Sequence, residues 1–463
     1  MTLAQETTER PPDTRAGEGL VDRLARVMEQ LVPDAITTAI LLMIALFVLS
    51  LVLGATVTVT LDAYYRGLWM LLAFTMQMTL ILVLSLILGA TTVFRLAIET
   101  ISRVPRTRAQ VVALAVLCGA FVAYLNWGLS IALSPVIAIH FARESERKGI
   151  PIDFLFLLAT LAGAGSIWQF GFSGSAPLLM ATPGHFLEKT TGIMPLATTI
   201  WSPAAIVLVL TFTSATMVVG CAFMPKKVRP LSHFPDASRT LDQAIVIDAR
   251  PPANATFAQR LEHSRLMMAP LAVMLAAWLY HHFFVKSLSL DINSVNTIVL
   301  LLGVVLHGTV FRFTQALRDA AGKAWPIVLM YHLYAGVAGL IQFTPVGDFL
   351  VTLFNPILTD YTYPLLTALI STIVAIFIPT SGGQWLIQGF VTVQTAEFVG
   401  VTPQRGLLAL SVGDHMGNLI APFWAVVGAS IAQIDFRQYF GYRLIFAALW
   451  FVMGVLAFTF LPC

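Results

Sequence analysis

Long apolar runs separated by short polar clusters set the pattern of this chain. Residues 35–59, 67–94, 203–223 and 441–461 are nearly unbroken apolar stretches. Each is long enough to cross a hydrocarbon core, which takes about 20 residues of helix. Helix is the conformation they predict, because an unpaired backbone group in lipid costs several kcal/mol. The runs do not alternate as the roughly ten-residue strands of a membrane barrel do. Two further stretches, 109–142 and 364–398, are long for one span and short for two. The first is interrupted by Asn126-Trp-Gly128 and the second by Pro379-Thr-Ser-Gly-Gly-Gln-Trp385. Each is followed by a long segment with its own polar break. Residues 151–182 break at Gly171-Phe-Ser-Gly-Ser175, and residues 402–432 break at Gly413-Asp-His-Met-Gly-Asn418. Both breaks run on into an Ala-Pro step, Ala176-Pro177 and Ala421-Pro422.

Basic residues concentrate on the cytoplasmic side of a membrane protein, and here they give the two interrupted stretches a direction. The tail carries Arg10, Arg15, Arg23 and Arg26, and Arg103, Arg106 and Arg108 follow two spans later. A second basic cluster, Arg143, Arg147 and Lys148, closes residues 109–142. Both flanks stay inside only if this stretch is a re-entrant hairpin with its tip near the midplane. Residues 364–398 have acidic flanks, Asp348, Asp360 and Glu397, so the second hairpin enters from outside. Counting spans then makes the second half the first half upside down. Such an inverted repeat with broken helices points to alternating access around a midplane site.

The organisation expected is a cytoplasmic tail over residues 1–34, with an interfacial helix near 20–31. A first repeat over 35–224 and a basic cytoplasmic linker over 225–265 follow. A connecting helix and loop over 266–294 lead to the second repeat, 295–463.

Composition agrees with this class. Of 463 residues, 57% are hydrophobic and 11% charged, and the mean hydropathy is +0.82. A soluble chain averages about 25% charged. The net charge of +3 lies in the tail and loops, so it reports topology and predicts no nucleic-acid partner. Cys118, Cys221 and Cys463 are too few and too scattered for a disulfide framework or thiolate metal site. No phosphate loop, dinucleotide fingerprint, zincin motif or nucleophile elbow is present. An enzyme, a metal site and a cofactor are therefore not expected.

The candidate site is the set of residues at the tips and breaks. They include Asn126, Ser173, Ser175, Thr380, Ser381, Gln384 and Asn418, with glycine backbones between them. The carboxylate expected near the midplane is Asp414, with His415 beside it, and an intramembrane carboxylate is by default a functional hypothesis. Helix N-termini beginning at the breaks present unpaired N–H groups and partial positive charge, which suits a small anion. No Arg or Lys is expected in mid-span or at a tip, so one carboxylate on a short apolar body fits better than a dicarboxylate. Trp127, Trp168, Trp385 and Trp424 would form its apolar rim. His332, inside the apolar span 325–342, is read as a packing residue with a functional alternative.

These motifs carry a resemblance. Asn126-Trp-Gly128, the run from Gly171 to Gly184, the run from Pro379 to Gly389, and Ala421-Pro-Phe-Trp424 resemble the bacterial short-chain fatty acid transporter family over most of the chain. The resemblance implies an all-α polytopic membrane fold of the ion transporter superfamily, with two hairpins, two discontinuous helices and an elevator mechanism. It implies a multi-pass protein of the bacterial inner membrane, N-terminus cytoplasmic, that moves short-chain monocarboxylates such as butyrate or acetoacetate by ion coupling. A homodimer is among the expected assemblies. Carried over residue by residue, the substrate site falls on Asn126, Trp127 and Gly128; Ser173, Gly174 and Ser175; Thr380, Ser381, Gly382, Gly383, Gln384 and Trp385; and Asn418. Asp414 and His415 take the ion-coupling role. The chain departs from the family at the second break, where a Gly-Glu-Gln-Trp-Met-Asn run is usual and Gly413-Asp-His-Met-Gly-Asn418 stands instead. Protons are the favoured coupling ion because His titrates near neutrality. Sodium is the alternative, and a small-anion channel is the other class of reading.

Overall fold

Apolar runs become helices throughout the computed structural model, which describes residues 35–242 and 251–462. The N-terminal tail, residues 243–250 of the linker and Cys463 lie outside the described residues. Every α-helical or 3-10 segment that matters for the site can be placed from the chain order. Helices α1 (Ala35–Val52), α2 (Val57–Met70), α3 (Leu72–Gly89) and α4 (Thr92–Ser102) lead to α5 (Arg108–Leu125) and α6 (Trp127–Arg147). Then come α7 (Phe154–Ala164), a 3-10 turn (Gly165–Phe170), α8 (Ser175–Ala181) and α9 (Pro203–Ala222). The middle of the chain holds α10 (Ala269–Tyr280), α11 (Ile292–His307) and α12 (Val310–Ala321). The remaining helices are α13 (Trp325–Gln342), α14 (Val346–Phe354), α15 (Tyr363–Phe377), α16 (Ser381–Phe398), α17 (Pro403–Ile420), α18 (Pro422–Ala432) and α19 (Arg437–Phe460). Among the described residues, six helices are long and apolar enough to cross a membrane, or up to eight if two bent pairs each count as one span. The chain is an all-α, multi-pass membrane protein.

Three boundaries differ from the hydropathy reading. The first run stops at Val52 rather than residue 59, because Gly54 takes a positive φ of 94° and Thr56 caps the next helix. A turn inside an apolar run is invisible to hydropathy. The second span accordingly begins at Val57, not residue 67, and continues to Gly89. The third difference is the break in residues 402–432. It lies at Ala421-Pro422, where α17 and α18 meet at 57°, and not at Gly413–Asn418. Proline removes a backbone donor and disfavours helix in the residue before it, and Ala421 is extended, with φ −73° and ψ 140°. Gly413 and Gly417 sit inside a continuous helix. A Cβ on Gly413 would collide with the Ala368 carbonyl, and one on Gly417 with Ala375. They are notches through which α17 packs on α15, the role small residues play between membrane helices.

The other three breaks stand where the polar residues predict them. Asn126 separates α5 from α6, residues 378–380 separate α15 from α16, and Gly171–Gly174 separate the 3-10 turn from α8. Helices α5 and α6 pack on each other, as do α16 and α17. At the open end of the first pair, Lys148 Nζ donates to the carbonyls of Arg103 and Pro105, the latter at 2.9 Å. The two ends of that pair are therefore neighbours. Asp153 holds the start of α7, accepting from Phe156 N at 2.9 Å and from Arg229 Nε at 3.1 Å, which ties the linker beneath it. Elsewhere Gly67 and Gly339 bring α2 and α13 into backbone contact, since a Cβ on either would overlap the other residue's Cα.

Candidate functional site

Apolar helices cannot leave backbone groups open in lipid, so each break must satisfy its own, and the ways they do so build the site. At the first tip Asn126 is extended, and its Oδ1 accepts from Gly128 N (2.7 Å), Leu129 N (3.2 Å) and Ser85 Oγ (2.7 Å). Trp127 N donates to Ser173 Oγ at 2.8 Å, and Phe172 N donates to the Tyr124 carbonyl at 2.8 Å. Gly171 permits that approach, because a Cβ there would strike the Tyr124 carbonyl. The first three N–H groups of α6 are thus all occupied within the protein. They are not open to an anion, contrary to the expectation for that helix end. At the start of α18 Pro422 removes the first N–H.

The second tip is joined to the first half of the chain. Thr380 caps α16 through Gly383 N at 3.1 Å, and Gln384 Nε2 reaches Ser371 Oγ at 2.7 Å. Ser381 Oγ donates to Gln169 Oε1 at 3.1 Å, and Gln169 Nε2 donates to Asp414 Oδ2. Asn418 Nδ2 donates to Asp414 Oδ1 at 3.1 Å, and Trp424 Nε1 donates to Asn418 Oδ1 (3.1 Å) and to the Pro379 carbonyl (3.0 Å). The bonds close a ring that runs from the second tip through the first break and α17 and back to the tip. Asp414 is fully buried in that ring. It lies inside α17, two turns before the Ala421 elbow, and faces protein rather than lipid.

Beside the ring lies a mostly apolar cavity of about 160 Å³. At about 10–15 Å³ for each water-sized body, it has room for a small organic molecule. Both tips and both breaks open onto it: Trp127, Ser175, Thr380, Ser381 and Asn418 line it, and so does His415. Asn126, Gly128, Ser173, Gly174, Gly382, Gly383, Gln384, Trp385 and Asp414 do not line it. His415 presents its ring to the edges of Trp168 (5.9 Å) and Trp450 (5.6 Å), with neither nitrogen hydrogen-bonded. His332 is away from the cavity, packed edge-on against Trp69 at 4.8 Å.

Two residues at the ring and cavity escape a reading of the sequence. Gln169 is a fully buried amide in an apolar segment, a signal that was present and is explained only by its bonds to both Ser381 and Asp414. Arg443 stays out of mid-span, as expected of the chain's cations, but it does not sit at a solvated boundary. Helix α19 begins at Arg437, four residues before residue 441, so Arg443 falls in its second turn. It is 3% exposed and lines the cavity. Its Nη2 donates to the Asn418 carbonyl at 3.3 Å, and the guanidinium lies 5.8 Å from the Tyr439 ring centre. Among the described residues no grouping of three or more His, Cys, Asp or Glu side chains could hold a metal ion.

The family model for short chain fatty acid transporters matches residues 18–461. A provisionally assigned short-chain fatty acid transporter of Haemophilus influenzae is 30% identical over 94% of this chain and 99% of its own length. A protein of Escherichia coli with the same provisional assignment is 28% identical over 95% and 100%. The crystal structure of the Alcanivorax borkumensis YdaH transporter, described as having an unusual topology, superposes with a TM-score of 0.60 at 13% identity. That match covers 92% of this chain and 98% of that one, and bears on the fold alone. The chain belongs to the short-chain fatty acid transporter family, a family of membrane transporters and not of enzymes.

Proposed function

We propose that this member of the short-chain fatty acid transporter family is a secondary active carrier of short-chain monocarboxylates such as butyrate or acetoacetate across the bacterial inner membrane. The observation that carries the reading is the convergence of both tips and both breaks on one small apolar cavity. Residues far apart in sequence gather there, where a midplane substrate site belongs in a repeat-built transporter. The two halves are an inverted repeat, 35–224 and 295–463, joined by the linker 225–265 and the connecting segment 266–294. The pairs α5–α6 and α15–α16 are re-entrant hairpins, and α7–α8 and α17–α18 are discontinuous helices. The N-terminus is cytoplasmic and the motion is of the elevator type. The cavity's wall favours a single carboxylate on a short apolar body, since a second carboxylate would be desolvated without a counter-charge. Coupling runs through Asp414 and His415, by proton symport.

Purified protein in proteoliposomes, with proton and sodium gradients imposed independently, tests this directly. Butyrate or acetoacetate should accumulate above equilibrium under a proton gradient, and succinate should not compete. Accumulation under sodium alone would reassign the coupling ion. Equilibration without accumulation under either gradient would make the protein a channel and overturn the proposal.

A further inference from the structure

Arg443 has more hydrogen-bonding capacity than the protein uses. Guanidinium carries five N–H donors and cannot be deprotonated in a protein. Here Nη2 meets the Asn418 carbonyl and the Tyr439 side chain interacts with the guanidinium, while Nε and Nη1, which hold three of the five, are buried and make no direct hydrogen bond. No carboxylate is in ion-pair contact with Arg443 among the described residues; Asp414 is connected to it only through Asn418. A buried charge left in this condition is strongly unfavourable unless something else supplies the opposite charge. The guanidinium lines the same cavity as both tips. The first N–H groups of α6 are bonded internally, and Pro422 removes one from α18. Trp127 Nε1 and the His415 ring nitrogens, on residues that also line the cavity, are unpaired as well, but Arg443 is the lining side chain with a permanent positive charge.

We propose that Arg443 is the counter-charge for the substrate's carboxylate, its free N–H edge holding the two oxygens while the aliphatic part lies toward Trp127 and Trp168. This deepens the transport reading above and rests on it. Bidentate pairing of guanidinium with carboxylate is both strong and directional. The tie from Nη2 to the Asn418 carbonyl and the Tyr439 ring hold the guanidinium in place, so less freedom is lost on binding. A single cation in an apolar cavity also accounts for a preference for one carboxylate.

A structural role is the competing explanation, because a cation that donates to one of the last carbonyls of α17 also caps that helix. Tryptophans 127, 168 and 424 line the cavity, so ligand binding to the purified full-length protein can be followed by its fluorescence. In the parent, butyrate should bind at least tenfold more tightly than butyramide, its neutral analogue of the same shape. Arg443→Gln should lose at least tenfold in butyrate affinity and leave butyramide unchanged, erasing the difference. Arg443→Lys keeps the charge and a donor for Asn418 but lacks the fork, and should fall in between. Equal binding of butyrate and butyramide by the parent overturns the proposal without any variant, as does a folded Arg443→Gln protein that still prefers the acid. A parent that binds neither compound, nor other monocarboxylates, overturns the transport reading itself and this inference with it.

Discussion

Asp414→Asn is the substitution that most sharply tests how the buried ring works. The parent carboxylate accepts from Gln169 Nε2 and from Asn418 Nδ2, and hydrogen bonds to a charged group contribute about 1.5–3 kcal/mol each, against about 0.5–1.5 for neutral ones. Replacing the carboxylate by an amide makes both contacts neutral and sets one donor against another. Weakening two contacts by about 1–1.5 kcal/mol each amounts to about 2–3 kcal/mol for this arrangement, or roughly 30- to 150-fold in its preference over others. Neutralisation also removes the desolvation penalty of a buried carboxylate, so thermal stability is a poor readout and transport is the informative one. The amide imitates a permanently protonated side chain. If Asp414 loads the coupling proton, the variant should exchange substrate across a liposome membrane yet fail to concentrate it under a proton gradient. The assay compares gradient-driven uptake with counterflow exchange, at several external pH values and sodium concentrations. A variant that still concentrates substrate with the parent's ion response would refute the coupling role.

Other expectations follow from neighbouring residues. His415→Gln separates the two members of the coupling pair: if the buried imidazole carries the coupling proton, gradient-driven accumulation should fall while counterflow exchange persists; an unchanged ratio of the two assigns coupling to Asp414 alone. Asn126→Ala removes a cap that serves two amides and Ser85, a loss of about 0.5–2 kcal/mol, so uptake should fall while the protein still inserts. Ser381→Ala breaks the bond to Gln169 and should weaken substrate affinity about tenfold or less, with unchanged kinetics in both variants moving the site elsewhere. Single cysteines at Arg106 and Lys148 should label from the same face of the membrane, and opposite-face labelling would end the hairpin reading.

The tips were legible because polar residues in lipid-length apolar runs have to be explained, and Asn126 and Thr380 do cap the helices that follow them. The second break was not, because glycine signals two things. At Gly413 and Gly417 it permits close packing on α15, and the kink belongs to Pro422. Sequence distinguishes these poorly, since packing depends on a partner far along the chain. Arg443 was hidden by one boundary: a cation three residues into a run is an interfacial anchor, and the same cation on the buried face of a helix's second turn lines the cavity. Gln169 needed its partners to be seen, and those partners lie 212 and 245 residues away.

The hydrogen bonds also bear on how such a site could move. The first tip is bound to the first break by Trp127 to Ser173 and by Phe172 to Tyr124. The first break is bound to the second tip and to α17 by Gln169, and the second tip to the start of α18 by Trp424. A mechanism that opened the cavity by drawing the two tips apart would have to break Ser381–Gln169 and Gln169–Asp414 at least. By the range for neutral and charge-assisted bonds that is about 2–4.5 kcal/mol, before any desolvated group left without a partner is counted. A mechanism that carries both tips and both breaks as one body breaks none of them. The proposed elevator motion is of the second kind, and the ring through Asp414 is the physical reason to prefer it: the Asp414 carboxylate then stays in its ring as the site moves instead of being exposed at each opening.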